Sequence, residues 1–217
     1  DKINELKVKE SKLVSDYNVI LDNSNKMKQM EEKLTKDINL NNEPWTPIGK
    51  SGKAFTGTFD GGKNTISNLF IERGFSNSAA NSYVGLFGYT LSPAVIKDVT
   101  VENARIQGSL YVGVIAGRPY TGNSISNCHV KGDIKVDAYW YAGGIAGEGY
   151  INTIEDCSGI GKDGSYIKGN GGSYMGGIMG FRGEGGMKID NCEVINIDIS
   201  GDDRVGGISG MLHYGNS

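Results

Sequence analysis

Five short stretches of this chain invite a chemical reading because they are dense in glycine: YVGLFG (Tyr83–Gly88), YVGVIAG (Tyr111–Gly117), YAGGIAG (Tyr141–Gly147), YMGGIMG (Tyr174–Gly180) and VGGISG (Val205–Gly210). A dinucleotide loop needs a strand, GxGxxG and a helix, with an acidic residue about 20 positions on; a P-loop needs Lys-Ser/Thr after its glycines. YAGGIAGEGY (Tyr141–Tyr150) offers neither, and no helical pattern follows it. The closing glycines Gly88, Gly117, Gly147, Gly180 and Gly210 are therefore read as architectural, allowing a tight bend and close backbone approach.

The other chemistry-bearing residues meet the same test. Cys128, Cys157 and Cys192 cannot all pair with one another, and their spacing fits no zinc or CxxC pattern. They are expected to be inert core thiols. Asn68, Asp98, Asn127, Asp156 and Asn191 could offer oxygens to calcium. The alternation of charged and neutral residues is met equally well by a hydrogen-bonded ladder of bends. His129 and His213 have no HExxH pattern and no nearby nucleophile, so both are placed on the surface. Glu102, Lys131 and Asp133 fall on outer strand faces. Glycoside cleavage needs two carboxylates at ~5 Å or ~6.5–9.5 Å, and no cluster is dense enough to single out. The expectation is a segment without catalytic residues, cofactor or metal.

The aromatic residues carry the one binding expectation. Tyr83, Tyr111, Tyr141 and Tyr174 recur at one position and are expected to stack at a corner, with Tyr120 and Tyr150 in related positions. Tyr139 and Trp140 break the pattern, which makes them the candidate ligand-binding residues for a sugar or a protein.

The elements that must position these residues follow from a repeat. The closing glycines are spaced by 29, 30, 33 and 30 residues. A second motif keeps step: ISNL at Ile66, IKDV at Ile96, ISNC at Ile125, IEDC at Ile154 and IDNC at Ile189. Within CHVKGDIKV, Cys128, Val130, Ile134 and Val136 share one parity, as in a half-buried strand. Ile125 has the opposite parity, so the chain must bend at Asn127. Short strands and bends recurring every ~30 residues fit coils of a β-solenoid stacked about 4.8 Å apart. The expected interior columns are Leu69, Val99, Cys128, Cys157, Cys192 and Phe87, Ile115, Ile145, Ile178, Ile208.

Composition agrees. The chain has 217 residues, 34 of them glycine, with only four prolines and no collagen period. A net charge of −3 gives no electrostatic case for nucleic acid or an anionic membrane, and no apolar run reaches the ~20 residues of a span. DKINELKVKE lacks an initiator Met and a signal-peptide core, which suggests a start inside a longer precursor.

The segment WTPIGKSGKAFTGTFDGGKNTISNLFI (Trp45–Ile71) with VGLFG (Val84–Gly88) resembles the opening of a GLUG-motif repeat region, and LTKDINL (Leu34–Leu40) resembles the strand that precedes it. The resemblance covers residues 34–217 and loosens where GVIAG, GGIAG, GGIMG and GGISG replace GLFG. Such regions occur in bacterial surface and secreted proteins, including adhesin-like proteins and the N-terminal part of immunoglobulin-A-specific metalloendopeptidases. The resemblance implies an all-β, right-handed parallel β-helix, here of about five coils, in an extracellular or cell-surface setting. Residues 1–33 differ, with Leu6, Leu13, Tyr17 and Ile20 at helical spacing, and are expected to form a helical cap over the N-terminal end. The functional expectation is a non-catalytic adhesive or display module that meets a host or bacterial surface protein or glycan. Alternatives are a carbohydrate-binding or carbohydrate-cleaving β-helix and an accessory region of a secreted metalloendopeptidase.

Overall fold

Alternation of apolar and polar residues over 14 or 15 positions gives three long strands, Thr58–Glu72, Val95–Gly108 and Ser124–Ala138, paired in parallel through successive turns of the chain. The structure is a computed structural model and describes residues 31–76, 78–150, 153–171, 174–183 and 187–212. It is a β-solenoid of about six turns. Among the described residues the strands form three sheets, of 11, five and four strands.

The first sheet carries the long strands. In the last two turns the same path breaks into short pieces, among them Thr153–Glu155, Ser158–Gly161 and Tyr166–Gly169. The break coincides with KDGS, Lys162–Ser165, where Gly161 pairs with Gly132 but Tyr166 pairs with Lys135. The second sheet stacks Phe87–Thr90, Ala116–Pro119, Ala146–Gly149, Met179–Arg182 and Ser209–Leu212. The third stacks Tyr111–Gly113, Tyr141–Gly143, Tyr174–Gly176 and Arg204–Gly206.

The turn beyond the five expected is the first one. Glu31–Lys33 pairs with Thr58–Asp60, and Ile38–Asn39 with Ile66–Ser67. Pro44, Ile48 and Phe55 then bridge to Phe70, Phe87 and Thr90. Glu31–Lys33 is thus strand, although the sequence reading assigns it to the cap. The helical cap expected around Leu6, Leu13, Tyr17 and Ile20 lies outside the described residues.

The interior is a set of stacked columns, because a parallel in-register ladder places equivalent side chains one above another. Phe59, Ile96, Ile125 and Ile154 are buried in one column that Ile189 continues. Val99 faces Cys128, and the registers on either side of the cysteines bring Cys157 and then Cys192 into line. Leu69 does not belong to that column. It pairs with Ala104, and Asn64 stands opposite Val99. The register shifts between Asp60 and Asn64, at GGKN, and the extra residues displace every later position of that strand.

The bends obey the same rule. Asp98, Asn127, Asp156 and Asn191 all have φ between 46° and 55°, the left-handed region that Asn and Asp tolerate best. Asn127 Nδ2 donates to Asp98 Oδ1, and Asn191 Nδ2 donates to Asp156 Oδ1 at 2.6 Å. Asn68 is placed instead at a second bend. There its Oδ1 accepts from Asn103 Nδ2 at 3.4 Å, and its Nδ2 donates to Asn39 Oδ1 at 2.9 Å.

Candidate functional site

The concentration of chemistry lies where the second and third sheets meet. The closing glycines make this corner. None has a positive φ, so a special bend is not their role. Their role is contact. A Cβ on Gly117 would stand 2.5 Å from Val84 N and 2.7 Å from Tyr111 O; one on Gly180 would stand 2.6 Å from both Ala142 N and Tyr174 O. Bare glycine lets the strand that begins at Ala116 close against the one that begins at Tyr111. The turn between them is a repeated bulge: Ile115 and Ala116 N–H both donate to Ile145 O, and Ile145 and Ala146 N–H both donate to Ile178 O.

The closure brings side chains of the second and third sheets into contact. Tyr83 meets Tyr89 at 5.3 Å, Arg118 lies 4.5 Å from the Tyr111 centroid, and Tyr174 meets Phe181 at 5.1 Å. Along the axis the rings of Tyr111 and Tyr141 stack at 5.6 Å and 7°, and those of Tyr141 and Tyr174 at 5.1 Å and 28°. Tyr120 and Tyr150 form the other wall, edge to face at 5.1 Å and 68°.

Between these walls sits an ion pair. Arg118 Nε is 2.8 Å from Glu148 Oε2, and the guanidinium also lies 5.1 Å from the Tyr120 centroid. Glu148 is only 5% exposed. The Nε–Oε2 contact is close but poorly aligned for a hydrogen bond, and the second contact, Nη2 to Oε1, is long at 3.5 Å. Burial pushes the Glu148 carboxyl above its usual range, and Arg118 only partly offsets this. Burial is the largest influence on Arg118 and works against its charge, but Glu148 together with Tyr111 and Tyr83 outweighs it and holds the guanidinium above its ordinary value. Tyr111 is pushed up to about 12, first by burial and then by the Glu148 charge. Burial likewise pushes Tyr89 and Tyr141 up, so these two and Tyr111 are neutral at physiological pH.

The chain resembles one curated protein in part. It is 31% identical over 146 residues, 62% of this chain, to Halomucin from Haloquadratum walsbyi, and the match spans 2% of that protein. No protein-family model matches the chain, and no solved structure matches it.

Of the residues read from sequence, Tyr139 and Trp140 lie at the edge of this corner. Both amides donate to Ser109 O at 3.0 Å. The Tyr139 ring covers Gly171, where a Cβ would come within 2.8 Å of it. Trp140 leans on Tyr141 at 6.0 Å and 33°. Trp140 thereby extends the tyrosine column, and both side chains are half-buried.

The remaining candidates are structural in their surroundings. Each cysteine donates to the carbonyl two residues earlier, at 3.2 Å for Cys128 and 3.1 Å for Cys157 and Cys192. The neighbouring Cys128 thiol and burial push the Cys157 thiol up, and Cys157 and burial do the same to Cys192. His129 is half-buried, Nε2 to Asn127 Oδ1 and Nδ1 to Ser158 Oγ, both 2.9 Å. Asn127 Nδ2 faces the acceptor-only Asp98, so Asn127 Oδ1 accepts from Nε2–H and Nδ1 accepts from Ser158. Glu102 lies 4.0 Å from Lys131, and Asp133 lies 3.4 Å from both Lys135 and Lys162, so both carboxylates are neutralised in place. Among the described residues no group of three or more His, Cys, Asp or Glu could hold a metal, and no helix is long and apolar enough to cross a membrane. His213 lies outside the described residues.

Sequence reasoning passed over Tyr89, Arg118, Glu148 and Phe181. The signal was available: these are the residues directly after successive closing glycines, and one adjacent pair there is Arg and Glu.

Proposed function

We propose that this chain is a non-catalytic structural module of a cell-surface or secreted protein, a rigid rod that spaces or displays neighbouring segments and presents one face to a partner. The observation that carries the reading is the unbroken parallel stack. Each turn hydrogen-bonds to the next through the first sheet, and a single core cluster runs from Ile48 to Met187. Such an object resists bending because every turn contacts only its neighbours, through ladders on several sides. The similarity to a stretch amounting to 2% of Halomucin fits a small module of a much longer chain. A bacterial adhesin-like role, binding a host or bacterial surface protein or glycan, is the finer form of this proposal.

The test is location together with shape. Antibodies raised against residues 31–212 should label intact cells that make the parent protein, and external protease should remove the label. Small-angle scattering should return an elongated particle of uniform cross-section. Label confined to the cytoplasm, or a compact isotropic particle, would overturn the reading.

A further inference from the structure

We infer that the face of the last turn, residues 188–212, is a docking surface for one further turn of the same repeat, carried by the polypeptide that follows Ser217. Such an occupant depends neither on a surface location nor on an adhesive partner.

The interior of the last turn is apolar but uncovered. Met175 and Ile178 are 0% exposed, whereas their counterparts one turn on, Val205 and Ile208, are 41% and 38% exposed. Ile154 and Ile167 are likewise buried, and their partners Ile189 and Ile199 only partly so. Cys192 is half-buried where Cys128 and Cys157 are buried. The backbone is open on the same side. Lys188–Asp190, Glu193–Ile195, Asp198–Ser200, Arg204–Gly206 and Ser209–Leu212 each pair with the preceding turn and, among the described residues, with nothing beyond it. Terminal turns guard such edges with proline, an inward-pointing charge or a polar outer face. Residues 188–212 contain no proline, and the inward positions from Ile189 to Ile208 hold no charged side chain. This turn is therefore built to be covered, not to close the stack.

The sequence that leaves the last turn identifies what covers it. Met211 continues the column of Arg118, Glu148 and Phe181. From that column onward Met211–Ser217 and Arg118–Ser124 align without a gap, and both finish in Gly-Asn-Ser. In the earlier copy Gly122 takes a φ of 76°, and the buried Asn123 donates through Nδ2 to Tyr120 O at 2.7 Å. That bend delivers the chain into Ser124–Ala138, the first-sheet strand of the following turn. The same signature after Gly210 places the next strand in the ladder beside Ile189, on the open edge. A turn supplied this way arrives in register, because it is tethered one bend away from the face it covers.

The experiment reads the Cys192 thiol, which the added turn would cover, by disulfide-exchange labelling and mass spectrometry of the labelled peptides. In the parent protein Cys192 should react as slowly as Cys128 and Cys157; in the chain of residues 1–217 it should react about tenfold faster or more. A surrogate turn supplies a second arm: a copy of residues 154–183 carrying Cys157→Val is fused directly after Ser217. That copy would set Ile154 beside Ile189, Ile167 beside Ile199 and Met175 beside Val205, pairs the stack already contains. The fusion is expected to slow Cys192 labelling about tenfold and to raise Tm, whereas the same fusion with Ile167→Asp and Ile178→Asp in the copy is expected to stay within about twofold of the unextended chain. Equal Cys192 rates in the parent protein and in residues 1–217, or in the two fusions, would overturn the proposal. So would protection of Cys192 in residues 1–217 that rises with protein concentration, which assigns the face to a second copy. None of these results bears on surface location or elongated shape, which are measured separately.

Discussion

Substituting one closing glycine tests the corner directly. In Gly117→Ala the new Cβ stands 2.5 Å from Val84 N and 2.7 Å from Tyr111 O, all three groups being on or attached to backbone. Ordinary contact begins near 3.4 Å, so the two sheets must part by several tenths of an ångström. Overpacking of this kind costs about 1–3 kcal/mol, and more when the obstruction is backbone that cannot rotate away. Alanine restricts the unfolded chain and returns about 0.4–1 kcal/mol, since Gly117 does not need a positive φ. The net expectation is a loss of about 2 kcal/mol, or ~4–8 °C in Tm for a chain of this size. Gly207→Ala is the internal control. It belongs to the same repeated motif, also lacks a positive φ, and a Cβ there meets nothing within 4 Å. That substitution is expected to be neutral or slightly stabilising. Paired denaturant titrations of the two variants measure both. If Gly117→Ala falls within about 0.5 kcal/mol of wild type, the corner is not closed by backbone contact, and the explanation of how Arg118 reaches Tyr111 fails with it.

Three further expectations concern charge and thiols. Glu148 has a folded-state pKa above the ordinary 4.5, so its contribution is favourable below that value and is lost as pH rises through the folded pKa; wild type should lose stability relative to Glu148→Gln as thermal melts move from about pH 4 upward. Asp60 behaves oppositely: the Gly62 N–H at 2.8 Å, helped by Lys33 and Lys97, lowers its pKa from 3.8, so wild type should lose its advantage over Asp60→Asn as pH falls below about 4. In native buffer a disulfide-exchange reagent should label Cys192, which is half-buried, before the fully buried Cys128 and Cys157, with all three labelled rapidly once guanidinium unfolds the chain; equal rates in the native state would contradict the stacked core.

Much of the fold was legible because a solenoid writes each turn in the same alphabet. The glycine and Ile-x-Asn/Asp-Cys motifs share a period, and the paired turns share a register. The position of Leu69 was not legible. Its ISNL motif mimics IKDV, but GGKN inserts residues upstream, and only the ladder shows Ile66 opposite Val101 rather than Ile96. The first turn was legible only in its LTKDINL strand, for a related reason: Trp45–Gly57 pairs to the next turn through single bridges at Ile48 and Phe55 and leaves no alternation to read. The site was partly legible. The tyrosine column recurs and could be seen, whereas Arg118 and Glu148 occur once each and vanish in any search for recurrence.

Columns such as Ile115, Ile145 and Ile178 pack equally well in any order, so they stabilise stacking without specifying which turn lies on which. The column after the closing glycines reads Tyr89, Arg118, Glu148, Phe181 and Met211, and only the native order sets Arg118 on Glu148. A slip by one repeat would leave a buried carboxylate against an aromatic ring. Breaking a fully buried pair costs on the order of 3 kcal/mol, and somewhat less here because Arg118 keeps 20% of its side chain in solvent. The pair therefore discriminates between registers that the hydrophobic columns cannot tell apart. A repeat protein thus gains a unique stacking order from a departure from its own pattern.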